Sequence, residues 1–357
     1  MQSETNIVEN LWTSILQTQK ILKQVLLKAE DKEKNVNEQE LITCSGDIYN
    51  KIGRLLVKTT LSDLKRQNAR EEEEKLKVQE TKDRLSERLE FLQIELNDFM
   101  ESDPLYCLKR VIARTINLNQ RLSISESGAR YWQVFNISTP CLLQQGPTCG
   151  MVSLLTAAKT RGAEALTVED VLSVGRGHGF TRRGEMFSAA WLSVMTRELV
   201  PGSEVRLESA ELILDTEWLL TWVTSGGLIL IPYDCAANSS VCLENGHKAH
   251  WGLITGLVLP TDHPPPDTVQ SFENYFIHDN DNKSLMFDSL NKNDRGASVK
   301  VVVRQSKSLE LEFYNRDRLV ASCDNLREVA DKRLDGSYVI PAEGIEATLK
   351  NKIITIR

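Results

Sequence analysis

A cysteine that opens an apolar helix and a histidine that opens an apolar strand are the residues of this sequence best suited to chemistry. The stretch QQGPTCGMVSLLTAA, residues 144–158, turns at Gly146 and Pro147, then runs into Met151, Val152, Leu154, Leu155, Ala157 and Ala158. That spacing predicts Cys149 at or near a helix N-terminus, where the dipole and free backbone N–H groups favour a thiolate. A cysteine there can equally be plain packing, since free cysteines are among the most buried residues. A base decides between the two.

GHKAHWGLITGLVL, residues 246–259, supplies one. Trp251 to Leu259 reads as a buried strand, and His250 stands at its leading end, where a side chain projects from a sheet rim into a cleft. Cysteine and histidine so arranged make a cysteine-protease pair, however far apart in sequence. His250 would withdraw the Cys149 proton and return it to a leaving amine. His247, three residues upstream in a glycine-containing loop, is the competitor and a candidate for lining the substrate cleft. A third residue should orient the imidazole. Asn315, ending the alternating strand SLELEFYN, is the candidate, with Asp317 as alternative. FIHDNDN, at 276–282, reads as a solvated turn and lacks the glycine and downstream glutamate of a calcium loop, so no metal or other cofactor is expected.

Several elements must position these residues. A helix is expected over LTVEDVLSVGRGHG, capped by Thr167. Another is expected along Met186, Phe187, Ala190, Trp191 and Met195. GLILIPY, at 227–233, fits a buried strand, and DGSYVIPAEGI and NKIITIR read as closing strands. CLKRVIARTINLNQRL is an amphipathic helix, with Ser123 to Gly128 as linker. The organisation expected is therefore residues 1–102, a helix and linker at 103–129, and a catalytic domain over 130–357.

The first hundred residues differ from the rest. They hold no proline, the first being Pro104. Val8, Leu11, Ile15, Leu22 and Val25 keep a three–four spacing with Thr18 in the gap, and Leu85, Leu89, Leu92, Leu96 and Phe99 repeat it. This is the signature of coiled-coil helices. Between them, IYNKIGRLLVKTT is rich in β formers and predicts a short hairpin. Helix, short β segment and helix resemble a prefoldin β-type subunit, which implies a coiled-coil or prefoldin-type partner.

The 357 residues carry a net charge of −7, which argues against nucleic acid or an anionic membrane as partner. No apolar run has the length of a membrane span, and the N-terminus lacks the basic and apolar regions of a signal peptide. Seven cysteines without a CxxC pair point to reduced thiols and a cytoplasmic setting.

Four segments, QQGPTCGMVSL, GFTRRGEMFS, LILIPYD with GHKAHW, and SYVIPAEGI, resemble the actin maturation protease family in kind and order. The resemblance implies an α+β fold that is papain-like, of the C39-like type, with a helical part carrying the cysteine and an antiparallel sheet carrying the histidine. It also implies a cysteine aminopeptidase that removes the N-acetylated first residue of immature actin and exposes an acidic N-terminus. Cys149 matches the family nucleophile, His250 the base, and Gln144 the glutamine of the oxyanion hole, with Gln145 as the alternative. Asn315 departs from a family tendency to Asp, and the coiled coil stands where the family has a proline-rich N-terminus. An acidic substrate calls for a basic cleft, for which Arg182 and Arg183 are candidates, followed by Lys248. The alternative from another class is a prefoldin-like assembly or scaffold protein with a non-catalytic papain-like domain.

Overall fold

The computed structural model describes residues 105–122, 131–262 without 201, 269–290 without 273, and 299–357. It also describes three strands between 40 and 59 and helical runs between 13 and 25 and between 70 and 92. The chain divides into two compact units, Met1–Ser102 and Asp103–Arg357.

In the first unit, β1 (Glu40–Cys44), β2 (Asp47–Ile52) and β3 (Leu55–Thr59) form an antiparallel sheet in sequence order. This is one strand more than the expected hairpin. Both connections are too short for a crossover, so each strand must fold back on the one before it. In the helical run before the sheet, Ile15, Thr18 and Leu22 are buried, and the Thr18 hydroxyl donates to the Ser14 carbonyl.

The second unit contains α1 (Tyr106–Leu122), β4 (Tyr131–Asn136), α2 (Cys149–Thr160), α3 (Val168–Gly177), α4 (Ala189–Leu199), β5 (Val205–Ser209), α5 (Thr216–Thr224), β6 (Leu228–Cys235) and β7 (Val241–Cys242). There follow β8 (Ala249–Thr261), β9 (Gln270–Phe272), β10 (Tyr275–His278), α6 (Ser284–Leu290), β11 (Lys300–Gln305), β12 (Leu311–Asn315), α7 (Arg316–Asp324), α8 (Gly344–Thr348) and β13 (Lys352–Ile356). The sheet runs β5-β13-β6-β8-β4-β10-β9, with β7 on β6 and the β11–β12 ribbon also joined to β8. Its pairings are antiparallel apart from β4 with β10.

β8 is the hub. Side chains alternate across a strand, and here both faces are covered, so the sequence reads as a continuous apolar run. Trp251 and Leu253 join one core with Leu230, Ile354 and the α2 residues Met151, Leu154 and Leu155. Ile254 and Leu257 join the other with Ile229, Ile231, Tyr233, Val301, Val303 and Leu319. Packing rather than intrinsic propensity holds α2. Gly150, Val152, Ser153 and Thr156 are poor helix formers by up to about 1 kcal/mol each, whereas buried Met151, Leu154 and Leu155 contribute ~1.5–3 kcal/mol apiece.

Three segments differ from expectation. α1 belongs to the second unit, with Leu108, Val111 and Ile112 buried and Arg110 3.1 Å from Glu310. Met186 and Phe187 precede α4, whose N-cap is Ser188, so they are not on its stripe. Residues 335–343 are not a strand. Their backbone is tied instead to a buried side chain, with Val339 N–H donating to the Glu185 carboxylate at 2.7 Å.

Candidate active site

Cys149 is the first residue of α2 and is half-buried. Thr148 caps the helix without a side-chain bond to it, because its hydroxyl donates to the Gln145 carbonyl. The helix start is pressed against β8. A Cβ on Gly150 would come within 2.8 Å of Met186 Cβ and 3.1 Å of the Trp251 ring, so only glycine lets α2 approach this closely. Gly184 has φ +102°, and a side chain there would meet Thr148.

β11 pairs with β8 no further than Gly252, which leaves the backbone of Trp251 for α2. Ser153 Oγ donates to the Trp251 carbonyl at 3.2 Å. The indole N–H donates to the Met186 carbonyl at 2.9 Å. The start of α2 therefore meets β8 at Trp251, the residue that follows His250, whose Cα is about 3.8 Å along the chain. Trp251 points into the α2 core. The His250 ring stands edge to face with that of Tyr233, its cross-strand neighbour, at 5.7 Å.

Electrostatics set the resting protonation. Burial pushes the Cys149 thiol above its ordinary value, against the Trp251 N–H and the charges of Arg333 and Lys307, which pull it down. Burial holds His250 well below the usual imidazole range, and Lys307 and Arg333 add to the effect. Desolvation outweighs the helix dipole, so the resting pair is thiol and neutral imidazole rather than an ion pair. His250 Nε2 is buried without a hydrogen-bond partner.

Gln144 is anchored to Ser306 and Gly146. Its N–H donates to the Ser306 carbonyl at 2.9 Å, its Oε1 accepts from Ser306 Oγ at 2.8 Å, and its Nε2 donates to the Gly146 carbonyl at 2.8 Å. Gln145 is exposed.

The structure does not bring Asn315 to the imidazole. Asn315 pairs with Lys300, which pairs with Val258, eight residues along β8 from His250. Its Oδ1 accepts from Arg318 N–H as the N-cap of α7, the role a short amide favours where a strand hands over to a helix. Asp317, in the first turn of α7, is exposed and 3.8 Å from Arg316. His247 is exposed and turned to Glu328 at 3.1 Å, and Lys248 is paired with Glu244 at 2.9 Å. Arg182 donates to the Gly336 carbonyl and Arg183 stacks over the Tyr338 ring, so both brace the 335–339 loop.

Four residues were not legible as functional from sequence. Glu185, 2% exposed, accepts the N–H groups of Arg182, Arg183 and Val339. Asp234, 0% exposed, accepts those of Glu244, Gly246 and Lys248, fixing the loop that leads into His250. Lys307 and Arg333 are the cations felt by both Cys149 and His250. The acids lie within the motifs GEMFS and LILIPYD, a usable signal. The cations lie in loops with no pattern around them. Among the described residues no cluster fit for a metal ion occurs, and no helix is long and apolar enough to cross a membrane.

Cys149 and His250 both fall within residues 139–258, which match a family model described as actin maturation protease-like, C-terminal domain. The chain is 30% identical to the actin maturation protease of Danio rerio over 252 residues, 68% of this chain and 80% of that protein. It is 30% identical to that of Xenopus tropicalis over 236 residues, 64% of this chain and 74% of that protein. For the Homo sapiens protein the figures are 29% over 229 residues, with 61% and 64% covered. No solved structure matches. A mixed α+β unit, joined to these likenesses, falls in one family whose members are named as proteases. The chain belongs to the actin maturation protease family.

Proposed function

We propose that the protein is a cysteine aminopeptidase that removes the N-acetylated first residue of immature actin in the cytoplasm, exposing an acidic N-terminus. The observation that carries this reading is the seat of the Cys149 helix on β8 at Trp251, one residue along the strand from His250. The relatives are named for actin maturation, which supplies actin as substrate. A papain-like, C39-like arrangement is supported by α2 packing its cysteine end on an almost wholly antiparallel sheet. A coiled-coil arm in residues 1–102 is supported by the burial of Ile15, Thr18 and Leu22 at helical spacing.

Because thiol and imidazole rest uncharged, proton transfer belongs to the reaction itself. His250 takes the Cys149 proton as sulfur attacks the carbonyl carbon of the acetylated residue. The oxyanion is met by the Cys149 backbone N–H and by Gln144 Nε2, whose second hydrogen remains after the bond to Gly146. The C–N bond breaks and His250 protonates the departing amine. Water, deprotonated by His250, then hydrolyses the thioester and releases the acetyl-amino acid. In this scheme His250 works with its Nε2 unpartnered, as one of a dyad.

Incubating the protein with an acetylated peptide of the immature actin N-terminus tests the reading by mass spectrometry. Wild type should release the acetylated residue and Cys149→Ala should not. An intact peptide with wild type, or equal cleavage by both, would remove the reading.

A further inference from the structure

The protein is acidic, with a net charge of −7, yet the charges that bear on its thiol and imidazole are positive, those of Lys307 and Arg333. Lys307 lies in the turn between β11 and β12, directly after Ser306, which clasps Gln144. Its ammonium donates to the Cys235 carbonyl at 3.1 Å, and the Cys235 N–H donates in turn to the Lys248 carbonyl, two residues before His250. Arg333 comes from a different loop, the short turn Asp331–Arg333, and stacks over the Phe187 ring at 5.4 Å. Phe187 follows Met186, which contacts Gly150 and accepts the Trp251 indole N–H. Two chain segments thus deliver one cation each to the surroundings of the Cys149 helix start, one by way of Cys235 and one by way of Phe187.

Neither cation is spent on a carboxylate. Lys307 reaches a carbonyl and Arg333 an aromatic face, and among the described residues neither forms an ion pair. Other cations do form them: Lys248 with Glu244 and Arg327 with Glu346. Lys307 is exposed and Arg333 half-buried, so both are open to an incoming chain. Unpaired positive charge near a nucleophile raises the local concentration of an anionic partner and favours it over a neutral one.

We propose that Lys307 and Arg333 are the specificity-determining residues of this site, a cationic frame that engages carboxylate side chains of the polypeptide just beyond the scissile bond. The assignment rests on the protease reading above. It places acid recognition on these two residues rather than on Arg182 and Arg183, which brace a loop. With one residue in the acyl portion, the carboxylates belong to the leaving chain, and two cations from two loops call for at least two of them.

Two acetylated peptides test the frame, one with aspartates after the scissile residue and one with asparagines in their place. Wild type should prefer the acidic peptide in kcat/KM by at least about tenfold, two exposed pairs each worth a factor of a few. The preference should shrink as salt rises. In Lys307→Gln/Arg333→Gln it should fall to near unity, and Lys307→Glu/Arg333→Glu should come to prefer a peptide with lysines at those positions. Equal use of acidic and amide peptides by wild type, or a preference that survives the double substitution, overturns the frame. Anisotropy of the same labelled peptides on Cys149→Ala protein separates the two readings. Acid-selective binding lost with the double substitution, without cleavage by wild type, keeps the frame and removes the protease. Cleavage without acid selectivity does the reverse.

Discussion

Gln144 and Ser306 hold each other through two hydrogen bonds, from the Gln144 N–H to the Ser306 carbonyl at 2.9 Å and from Ser306 Oγ to Gln144 Oε1 at 2.8 Å. The pair also fixes which way the amide faces. Gly146 offers a carbonyl, so the NH2 end must point to it and the oxygen must take the hydroxyl. One N–H is left to meet an oxyanion. Gln144→Ala should therefore lower kcat by roughly 100-fold. Ser306→Ala leaves the donor present but loosely aimed, and should cost about tenfold in kcat with KM little changed. Steady-state kinetics on the acetylated peptide read both, and an unaltered kcat in Gln144→Ala would move the oxyanion role elsewhere.

Asp234 is the anchor of the loop before His250. Its buried carboxylate accepts three backbone N–H groups, and Asp234→Asn would turn an NH2 against at least one of them. Losing a charged acceptor and burying an unmet donor costs about 2–3 kcal/mol. The variant should unfold at lower urea with an unchanged m-value, and its kcat should fall because the approach to His250 is released. Wild-type stability in Asp234→Asn would show that the loop stands without it.

The raised pKa of Cys149 has a kinetic signature. Burial is the leading cause, and a thiol shifted upward yields thiolate only at higher pH than a free one. Alkylation of Cys149 by iodoacetamide, followed residue by residue with mass spectrometry, should still be climbing above the pH at which a small thiol reaches its plateau. His250 is held well below the usual imidazole range, so its protonation should not suppress labelling between pH 6 and 8, roughly the span in which an ordinary histidine titrates. Fast labelling that levels off below neutrality would show a preformed ion pair instead.

α2 and β8 were readable from sequence because their periodicity is local. α2 and β8 each bury one continuous apolar run, and each announces its first polar residue, Cys149 and His250. Asn315 misled because a strand-end amide looks alike whether it faces a histidine or caps the next helix. The difference lies in the β8–β11–β12 register, which no local pattern encodes. Met186 and Phe187 keep helical spacing with α4 but are drawn out to cover Trp251 and carry Arg333, a tertiary demand on an extended segment. Lys307 and Arg333 were invisible for the same reason, since only the fold brings one to Cys235 and the other to Phe187.

α1 offers a test of how the second unit is closed. Arg114 donates to Glu310, to Glu312 at 2.6 Å and to the Leu311 carbonyl at 3.0 Å, binding the helix to β12. Burial pushes the Glu312 carboxyl up to about 7 despite the guanidinium, which works in the opposite sense. A carboxyl raised in the folded state favours folding while protonated, and that contribution is lost as pH climbs through the folded value. Removing Arg114 takes away the charge that makes ionised Glu312 tolerable, so the penalty grows with pH. Arg114→Ala should therefore cost about 1–2 kcal/mol near pH 8, between an exposed ion pair and a buried charged hydrogen bond, and markedly less near pH 5.5. Thermal melts at the two pH values measure it. Arg114→Ala/Glu312→Gln should narrow the gap between them, because the amide carries no charge to strand. An equal loss at both pH values would mean that Arg114 holds α1 by its carbonyl and packing contacts alone.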